Sequence, residues 1–265
     1  MRIAVCGSAN LGKSTLIQDF LQEWSMYGFE KETYRDIIVN KELKHSKETN
    51  KETQKAILDY MVNTLDQFDS DDKVIFDRCP LDNLVYSLWA CDKGISDIDE
   101  DFISECIPTV REALTKLDII FFIPRTKLNP KIEDDGMREV DEEYIKEIDT
   151  LFKMLQLQYQ QHPQDNPFFP REDSPALIEV FGTRPERMQM IRLYLDADGD
   201  LMGGEGGTSD IFNPENVFTS VRLLLDEVDS VFTSVRLLLI VVSKVVFSKP
   251  TIKLLNFKVL VEFSV

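Results

Sequence analysis

Short apolar runs alternate along the chain with stretches in which apolar residues recur every three or four positions. The first run is Arg2–Cys6, and the spacing of a buried helix face follows it from Leu16 to Trp24, ending near Gly28. Further strand-like runs cover residues 29–34, 74–76, 119–123 and 176–181, of which the first is the weakest. This alternation predicts an α/β fold: a doubly wound parallel sheet of about five strands with helices on both faces.

Helical spacing is also present between the later runs, over residues 56–68, 145–159 and 188–195. Another apolar segment, Phe102–Ile107, is followed by Pro108. Because proline lacks a backbone N–H, we expect this segment to be divided into two helices or kinked there. The four prolines between residues 162 and 175 predict a long surface loop.

The segment between the first strand and the first helix carries a phosphate-binding motif. The pattern G-x-x-x-x-G-K-[ST] is matched by Gly7, Ser8, Ala9, Asn10, Leu11, Gly12, Lys13 and Ser14. The glycines let successive N–H groups and the helix N-terminus point at phosphate. We expect this loop, with Thr15, to bind ATP, Lys13 to reach the β- and γ-phosphates, and Ser14 to hold Mg²⁺. A chance match on a glycine turn is the alternative, and the strand-loop-helix context disfavours it.

An acidic residue, Asp77, directly follows the run 74–76. A carboxylate at the end of a strand beside the phosphate loop is typical of the Walker B acid, which orients Mg²⁺ and its waters. Arg78 is the next residue. The sequence therefore predicts a metal site formed by Ser14 and Asp77.

Two further motifs suggest where an acceptor binds. Glu32 and Arg35 form an E-x-x-R set at the end of the presumed second strand. They are expected to hold a substrate hydroxyl and a neighbouring phosphate or sugar, the alternative being a surface charge pair. Arg138, in D-D-G-M-R, precedes a long helical pattern. A mobile arginine there would close over the transferring phosphate, and the same segment is also typical of a capped helix start.

The chain is strongly acidic, with a net charge of −17. Nucleic acid is therefore an unlikely partner, because binding to its backbone normally draws on clustered Lys and Arg. A small anionic nucleotide can still bind, since the loop supplies a local positive field. The four cysteines show no C-x-x-C spacing, which favours a reducing compartment. With no secretory pattern at the N-terminus, we expect a soluble, cytoplasmic protein that does not bind membranes.

The C-terminal tail has a different composition. Residues 217–225 recur verbatim as residues 231–239, and residues 231–265 carry five Lys or Arg against one acidic residue. We predict a kinase-like domain over residues 1–230 and an appendage over residues 231–265, which arose by duplication or read-through. A membrane-surface or partner-binding tail is the alternative. Its β-branched segments would be prone to aggregation if exposed.

Taken in order, five motifs resemble one P-loop family. They are the G-x-x-x-x-G-K-S loop, the E-x-x-R set, D-R-C-P-L-D-N-L-V-Y after a strand, the D-D-G-M-R-E-V-D-E-E-Y segment, and G-T-R-P-E-R after the last strand. The family includes the ribosylnicotinamide kinase domain of bacterial NadR and many phage-encoded proteins described as AAA-family ATPases. Deoxynucleoside and thymidylate kinases are more distant relatives. The resemblance covers about residues 1–196 and none of the tail.

The resemblance implies a role for each matching residue. Lys13 and Ser14 would bind the ATP phosphates and Mg²⁺, and Asp77 would be the metal-orienting or base carboxylate. The remaining implied roles are acceptor binding by Glu32 and Arg35, a place near the phosphates for Arg78, a lid arginine at Arg138, and a loop under the adenine formed by Gly182, Thr183 and Arg184. Cys79 stands where related kinases often carry serine or another small residue.

The expected function is ATP- and Mg²⁺-dependent phosphoryl transfer to a small hydroxyl-bearing acceptor. Nucleosides, nucleoside monophosphates and nicotinamide riboside are the acceptor classes that the resemblance implies, and the host cytoplasm would be the location of a phage-encoded protein. Two alternatives remain at this point. One is an ATP-hydrolysing switch that acts on a protein partner, and the other is a kinase of hydroxyls on DNA or RNA, which the acidic charge disfavours.

Overall fold

The computed structural model describes residues 1–29, 48–126, 141–161, 166–170 and 172–202. The strands are β1 (Arg2–Cys6), β2 (Gly28–Phe29), β3 (Val74–Asp77), β4 (Ile119–Phe122) and β5 (Ala176–Glu179). The helices are α1 (Lys13–Glu23), α2 (Lys51–Leu65), α3 (Pro80–Lys93), α4 (Glu100–Leu114), α5 (Glu142–Gln161) and α6 (Arg184–Ile191). Within these ranges no helix has both the length and the apolar composition that a membrane span needs.

The five strands form one parallel sheet in the order β2-β3-β1-β4-β5. Strand β1 lies at its centre, where Val5 is opposite both Asp77 on β3 and Phe121 on β4. The predicted parallel α/β fold is therefore confirmed. Because ligands of open α/β sheets bind outside the carboxyl ends of the strands, this register places the loops after β1, β3 and β4 at one edge.

Helices cover both faces of the sheet, and alternate strand residues separate the two layers. On β1, Ile3 and Val5 pack with α1 and α6, whereas Ala4 and Cys6 pack with α2, α3, α4 and α5. This division follows from the period of two in a strand, which sends successive side chains to opposite faces. The central strand is thus buried on both sides and provides a rigid base for the loop that follows it.

Of the two outcomes expected at Pro108, a division into two helices or a kink, the division is wrong. A single helix, α4, runs from Glu100 to Leu114 with Pro108 inside it. Proline removes one backbone hydrogen bond, but apolar residues before and after it, from Phe102 to Leu114, are buried in the same core. Burial of this face outweighs the local preference for a break.

The predicted surface loop over residues 162–175 is also wrong in part. Phe168 and Phe169 are fully buried, and the ring of Tyr159 on α5 stacks on Phe169 with 4.3 Å between centroids. Pro167 and Pro170 therefore flank two aromatic anchors of the core instead of lying in a solvated loop. Residues 162–165 and 171 lie outside the described residues.

Candidate nucleotide-binding site

The loop between β1 and α1 has a backbone that only glycine accommodates at its two ends. Gly7 has φ +133°, and a Cβ there would lie 2.7 Å from the backbone oxygen of Ile123, which follows β4. Gly12 is the N-cap of α1 and has φ +82°. Both φ values lie in the region that L side chains rarely adopt. The two glycines of the motif are therefore required by the turn and by its close approach to β4.

Lys13 begins α1, and its side chain is buried with only 7% exposed. Its Nζ donates a hydrogen bond of 2.5 Å to the backbone oxygen of Ser8, across the loop. The pKa of Lys13 is lowered to about 7, by burial first and then by the charge of Arg78, while Asp82 and Asp77 act in the opposite direction. The lysine of the motif thus lies within the loop itself, and burial weakens its hold on the proton.

Ser14 and Asp77 meet at the carboxyl edge of the sheet. Ser14 lies in the first turn of α1 and is exposed, while Asp77 ends β3 and is half-buried. The Ser14 hydroxyl donates to Asp77 Oδ2 at 3.2 Å. A hydroxyl and a carboxylate are hard oxygen ligands of the kind that Mg²⁺ takes in phosphate sites. The pair that the sequence assigns to a metal is therefore brought together, and its donor set fits Mg²⁺.

Arg78 forms a buried ion pair with Asp82, with 2.8 Å between Nη1 and Oδ1. The same two atoms reach the first glycine of the loop, since Arg78 Nη1 donates to Gly7 O and Asp82 Oδ1 accepts from Gly7 N, each at 3.4 Å. The Arg78 guanidinium also lies 5.3 Å from the ring centre of Tyr86. Burial raises the pKa of Asp82, although Arg78 and Lys13 both lower it. Arg78 thus lies beside the loop, with its charge offset by a carboxylate, and its expected place near the phosphates stays a prediction.

The sequence reasoning did not single out Asp82 or the helix on which it lies. Cys79 is the N-cap of α3, Pro80 is its first residue, and Asp82 Oδ2 accepts the Cys79 N–H at 3.1 Å in a capping box. The signals were present, because proline at N1 and an acidic residue at N3 mark a helix start. Burial raises the pKa of the Cys79 thiol well above its usual value. Cys79 therefore acts as a helix cap and not as a reactive thiol.

The loop after β5 contains Gly182, which has φ +91°. Thr183 is the N-cap of α6, and both its N–H and its hydroxyl donate to Glu186 Oε2 at 2.7 Å. Arg184 makes a two-bond contact with Asp19 of α1, at 2.9 and 2.5 Å. The side chain of Arg184 is thus engaged with α1. The loop that the resemblance places under the adenine is held in a defined conformation beside α1.

Arg187 is the second residue that the sequence reasoning missed. It lies on α6, is 5% exposed, and donates to two backbone oxygens: Nε to Gly182 O at 2.9 Å and Nη1 to Leu11 O at 2.7 Å. Burial lowers the pKa of its guanidinium. The only signal was its place at the end of G-T-R-P-E-R, a motif whose first three residues were assigned a role. Arg187 connects the phosphate loop directly to the loop after β5.

Other predicted site residues lie outside the described residues. These are the E-x-x-R pair Glu32 and Arg35, the lid segment with Arg138, and the tail. Their assigned roles stay predictions. Of the remaining loop residues, Ser8 and Leu11 are buried, and Ala9, Asn10 and Thr15 are half-buried.

A parallel sheet in this strand order, with a glycine-rich loop after its central strand, defines the chain as a P-loop protein of the kinase and ATPase class. A family model described as AAA domain matches residues 2–165, more than half of the chain, and the chain belongs to this family. No curated protein sequence matches it significantly.

The chain is similar to several solved structures at low sequence identity. A NadR protein in complex with NR is similar with a TM-score of 0.52 and 16% identity, over 73% of this chain and 51% of that one. The chain thus spans about half the length of the NadR chain, and the likeness is one of fold. Deoxyadenosine kinase from M. mycoides has a TM-score of 0.48 at 19% identity, over 73% of this chain and 97% of that one. Thymidylate kinase from Candida albicans has a TM-score of 0.44 at 14% identity, over 72% and 89%.

Proposed function

We propose that the protein transfers the γ-phosphoryl group of ATP to a small hydroxyl-bearing acceptor with the help of Mg²⁺. The observation that carries the proposal is the contact of 3.2 Å between the Ser14 hydroxyl and the Asp77 carboxylate, next to the buried Lys13. Phosphoryl transfer depends on positioning and on neutralising charge, and these three side chains supply a cation and a set of hard oxygen ligands at one place. The acceptor is a nucleoside, a nucleoside monophosphate or nicotinamide riboside.

Each residue has a defined task in this proposal. The N–H groups of the loop and the Lys13 ammonium bind the phosphates, and Ser14 and Asp77 would hold Mg²⁺. The ion, when bound, neutralises charge on the transferring phosphoryl group. Asp77 is half-buried at the open edge of the sheet. It is therefore available either to orient the metal or to accept the proton of the acceptor hydroxyl.

The local charges support an anionic ligand in spite of the net charge of −17. Arg78 is paired with Asp82, so this pair adds little net charge to the loop. Lys13 and Arg187 then supply the positive charge beside the loop among the described residues, together with the N-terminus of α1. A field of this short range attracts a nucleotide and does not depend on the charge of distant surfaces.

The residues proposed to contact the acceptor are assigned from motifs alone. Glu32 and Arg35 are proposed to bind the acceptor, and Arg138 is proposed to close over the phosphates. The fold similarity to a NadR protein solved with NR makes nicotinamide riboside one of the first acceptors to test.

The neighbouring helix α3 carries Asn83, whose amide donates to the backbone and side-chain oxygens of Gln54 on α2. This buried contact fixes α2 against α3 beside the site.

The experiment that tests the proposal is a transfer assay with γ-labelled ATP and Mg²⁺ on the full chain. The screen covers nucleosides, nucleoside monophosphates, nicotinamide riboside and oligonucleotides, with the Lys13→Ala variant as the inactive control. Label that appears in a small acceptor, and depends on Lys13, supports the proposal. Label that appears only as inorganic phosphate at a rate no acceptor changes would overturn it.

The family description favours a second candidate, an ATP-hydrolysing switch that acts on a protein partner. It uses the same phosphate loop and metal site, because hydrolysis differs from transfer only in the acceptor. Slow phosphate release that a protein partner stimulates, without transfer to small acceptors, would identify it. A third candidate, a kinase of DNA or RNA hydroxyls, is disfavoured by the acidic charge and would label the oligonucleotides of the screen.

A further inference from the structure

Arg187 is a buried cation whose partners are backbone carbonyls. Its guanidinium donates to Gly182 O at 2.9 Å and to Leu11 O at 2.7 Å, and its residue is 5% exposed. Among the residues that the structure describes, no carboxylate forms an ion pair with it. Burying a guanidinium in this way is costly, because neutral carbonyl oxygens offset only part of the lost hydration.

A nearby arginine, Arg192, forms an ordinary exposed ion pair with α1. Arg192 directly follows α6 and makes two hydrogen bonds, of 2.6 and 2.7 Å, with the carboxylate of Glu23 at the end of α1. Its side chain is about half exposed. An exposed ion pair thus joins α1 to the segment after α6. Packing of α6 against α1 therefore does not by itself require a buried arginine at position 187.

The hydrogen bond from Arg187 to Leu11 O constrains the phosphate loop on the side opposite the Gly12 N–H. The carbonyl of Leu11 and the N–H of Gly12 belong to one planar trans peptide, so they point in opposite directions. An arginine that holds the oxygen on one side therefore fixes the N–H on the other side. Gly12 is the N-cap of α1, and a Cβ at Gly12 would lie 3.2 Å from Arg187 Nη1. The guanidinium and this peptide are in direct contact.

We propose that Arg187 is a positioning residue that sets the conformation of the phosphate loop and its distance from the loop after β5. It holds the Leu11–Gly12 peptide so that the Gly12 N–H faces the phosphates, and through Gly182 it fixes the loop that borders the base. The inference rests on the proposed nucleotide site. Its consequence is that one side chain controls the affinity for the polyphosphate part of the ligand without contacting it.

The test compares Arg187→Lys and Arg187→Met with Arg192→Met as the matched control. Calorimetry measures the binding of ATP and of inorganic tripolyphosphate, and kinetics measure KM and kcat. Arg187→Lys keeps the charge but cannot hold two carbonyls in the planar geometry of a guanidinium. We expect it to bind both ligands about tenfold more weakly, as for a lost hydrogen bond to a charged group, with kcat at saturating ATP within about twofold. Arg187→Met should lose more, and Arg192→Met should bind both ligands normally.

Three results would overturn the inference. The first is a lower Tm for Arg187→Lys with both ligands bound within about twofold of wild type, which would indicate a purely structural role. The second is an equal loss in Arg192→Met. The third uses the wild-type protein and needs no variant to fold: the NMR signal of the Arg187 Nε–H should shift when tripolyphosphate binds, and an unchanged signal contradicts the proposal.

Binding and transfer are measured separately, so failure of the proposed function can be recognised. A wild-type protein that binds ATP and tripolyphosphate but labels no acceptor contradicts the proposed function and leaves the role of Arg187 to be decided by the variants. A wild-type protein that binds neither ligand overturns both.

Discussion

The two sides of the phosphate loop are supported by buried arginines in different ways. On the α3 side, Arg78 contacts Gly7 and is paired with Asp82 at 2.8 Å. On the α6 side, Arg187 contacts Leu11 with no ion pair among the described residues. A paired cation contributes rigidity and little net charge, whereas an unpaired one also leaves positive charge beside the loop. We therefore expect changes on the α3 side to affect mainly stability, and changes on the α6 side to affect mainly ligand binding.

Lys13 lies between these two supports, and its removal should have the largest effect. Lys13→Ala is expected to lower kcat by about a thousandfold, on the order of 4 kcal/mol, because the ammonium contributes charge to the phosphates. The fold should remain, so the Tm should change little. Turnover and thermal unfolding separate the two quantities. If more than about a tenth of kcat remains, the loss is only ~1.4 kcal/mol and the loop is not catalytic. The two supports would then hold a loop that has no role in turnover.

The α3 side is tested by Asp82→Asn, which leaves Arg78 buried without its carboxylate. We expect the free energy of unfolding to fall by about 3 kcal/mol, measured by urea denaturation. The double variant Arg78→Met, Asp82→Asn should recover part of this loss. Asp66→Asn, which removes a partly exposed pair with Lys116, is the control and should cost little. A loss below about 1 kcal/mol in Asp82→Asn would show that the pair is not the support on this side.

Substitution of Asp77 tests whether the metal site acts independently of the two buried arginines that support the loop. Asp77→Asn is expected to raise the Mg²⁺ concentration needed for half-maximal activity and to lower kcat about thirtyfold, roughly 2 kcal/mol, with a modest change in ATP affinity. Ser14→Ala should shift the Mg²⁺ requirement in the same direction, while Ser14→Thr, which keeps the hydroxyl, should not. An unchanged magnesium titration together with an unchanged kcat would contradict the assignment of Asp77.

The smallest expected effect is the change of ATP affinity with pH. The pKa of Lys13 is lowered to about 7 by burial and by Arg78. Phosphate favours the charged ammonium, so ATP binding above pH 7 should take up a proton, and affinity should fall as the pH rises, at most about tenfold per unit. Calorimetry in buffers of different ionisation enthalpy measures this uptake. The Lys13→Arg variant should show no such uptake, and equal uptake in it would exclude Lys13 as the source.

The same lowered pKa has a defined consequence for stability. Between about pH 7 and the ordinary lysine value of 10.5, the unfolded chain binds more protons at Lys13 than the folded chain does. The contribution of Lys13 to the free energy of unfolding therefore rises with pH across that window, because deprotonation removes the cost of a buried charge. Denaturation of wild type and Lys13→Met at pH 7 and pH 9.5 should show this rise in wild type alone. A rise of equal size in the variant would assign it to another group.

Local patterns predicted the parts of the protein that depend on neighbouring residues. Four of the five strands lie within about two residues of the predicted runs, and β2 overlaps its run at Phe29 alone. The phosphate loop and Asp77 were predicted because strand, loop and carboxylate follow each other in the chain. The family resemblance was confirmed by the match over residues 2–165. Period, glycine position and strand ends are read within about ten residues, so no tertiary information was needed.

Tertiary packing decided the features for which the local signal was misleading or absent. Helix α4 continues through Pro108 because both halves of its apolar face are buried in one core. Phe168 and Phe169 are buried although prolines surround them. In both cases burial outweighs the propensity of the residues themselves.

The sequence alone determined the class of the protein and the residues of its phosphate loop, because a glycine-rich turn between a strand and a helix is encoded locally. Only the tertiary structure decided what supports that loop. Arg187 and Leu11 are 176 residues apart in the chain, and Asp82 and Gly7 are 75 apart. Contacts of this kind exist only after β1, β3, β4 and β5 have joined one sheet, since a hydrogen bond requires donor and acceptor about 3 Å apart, whatever their separation in sequence.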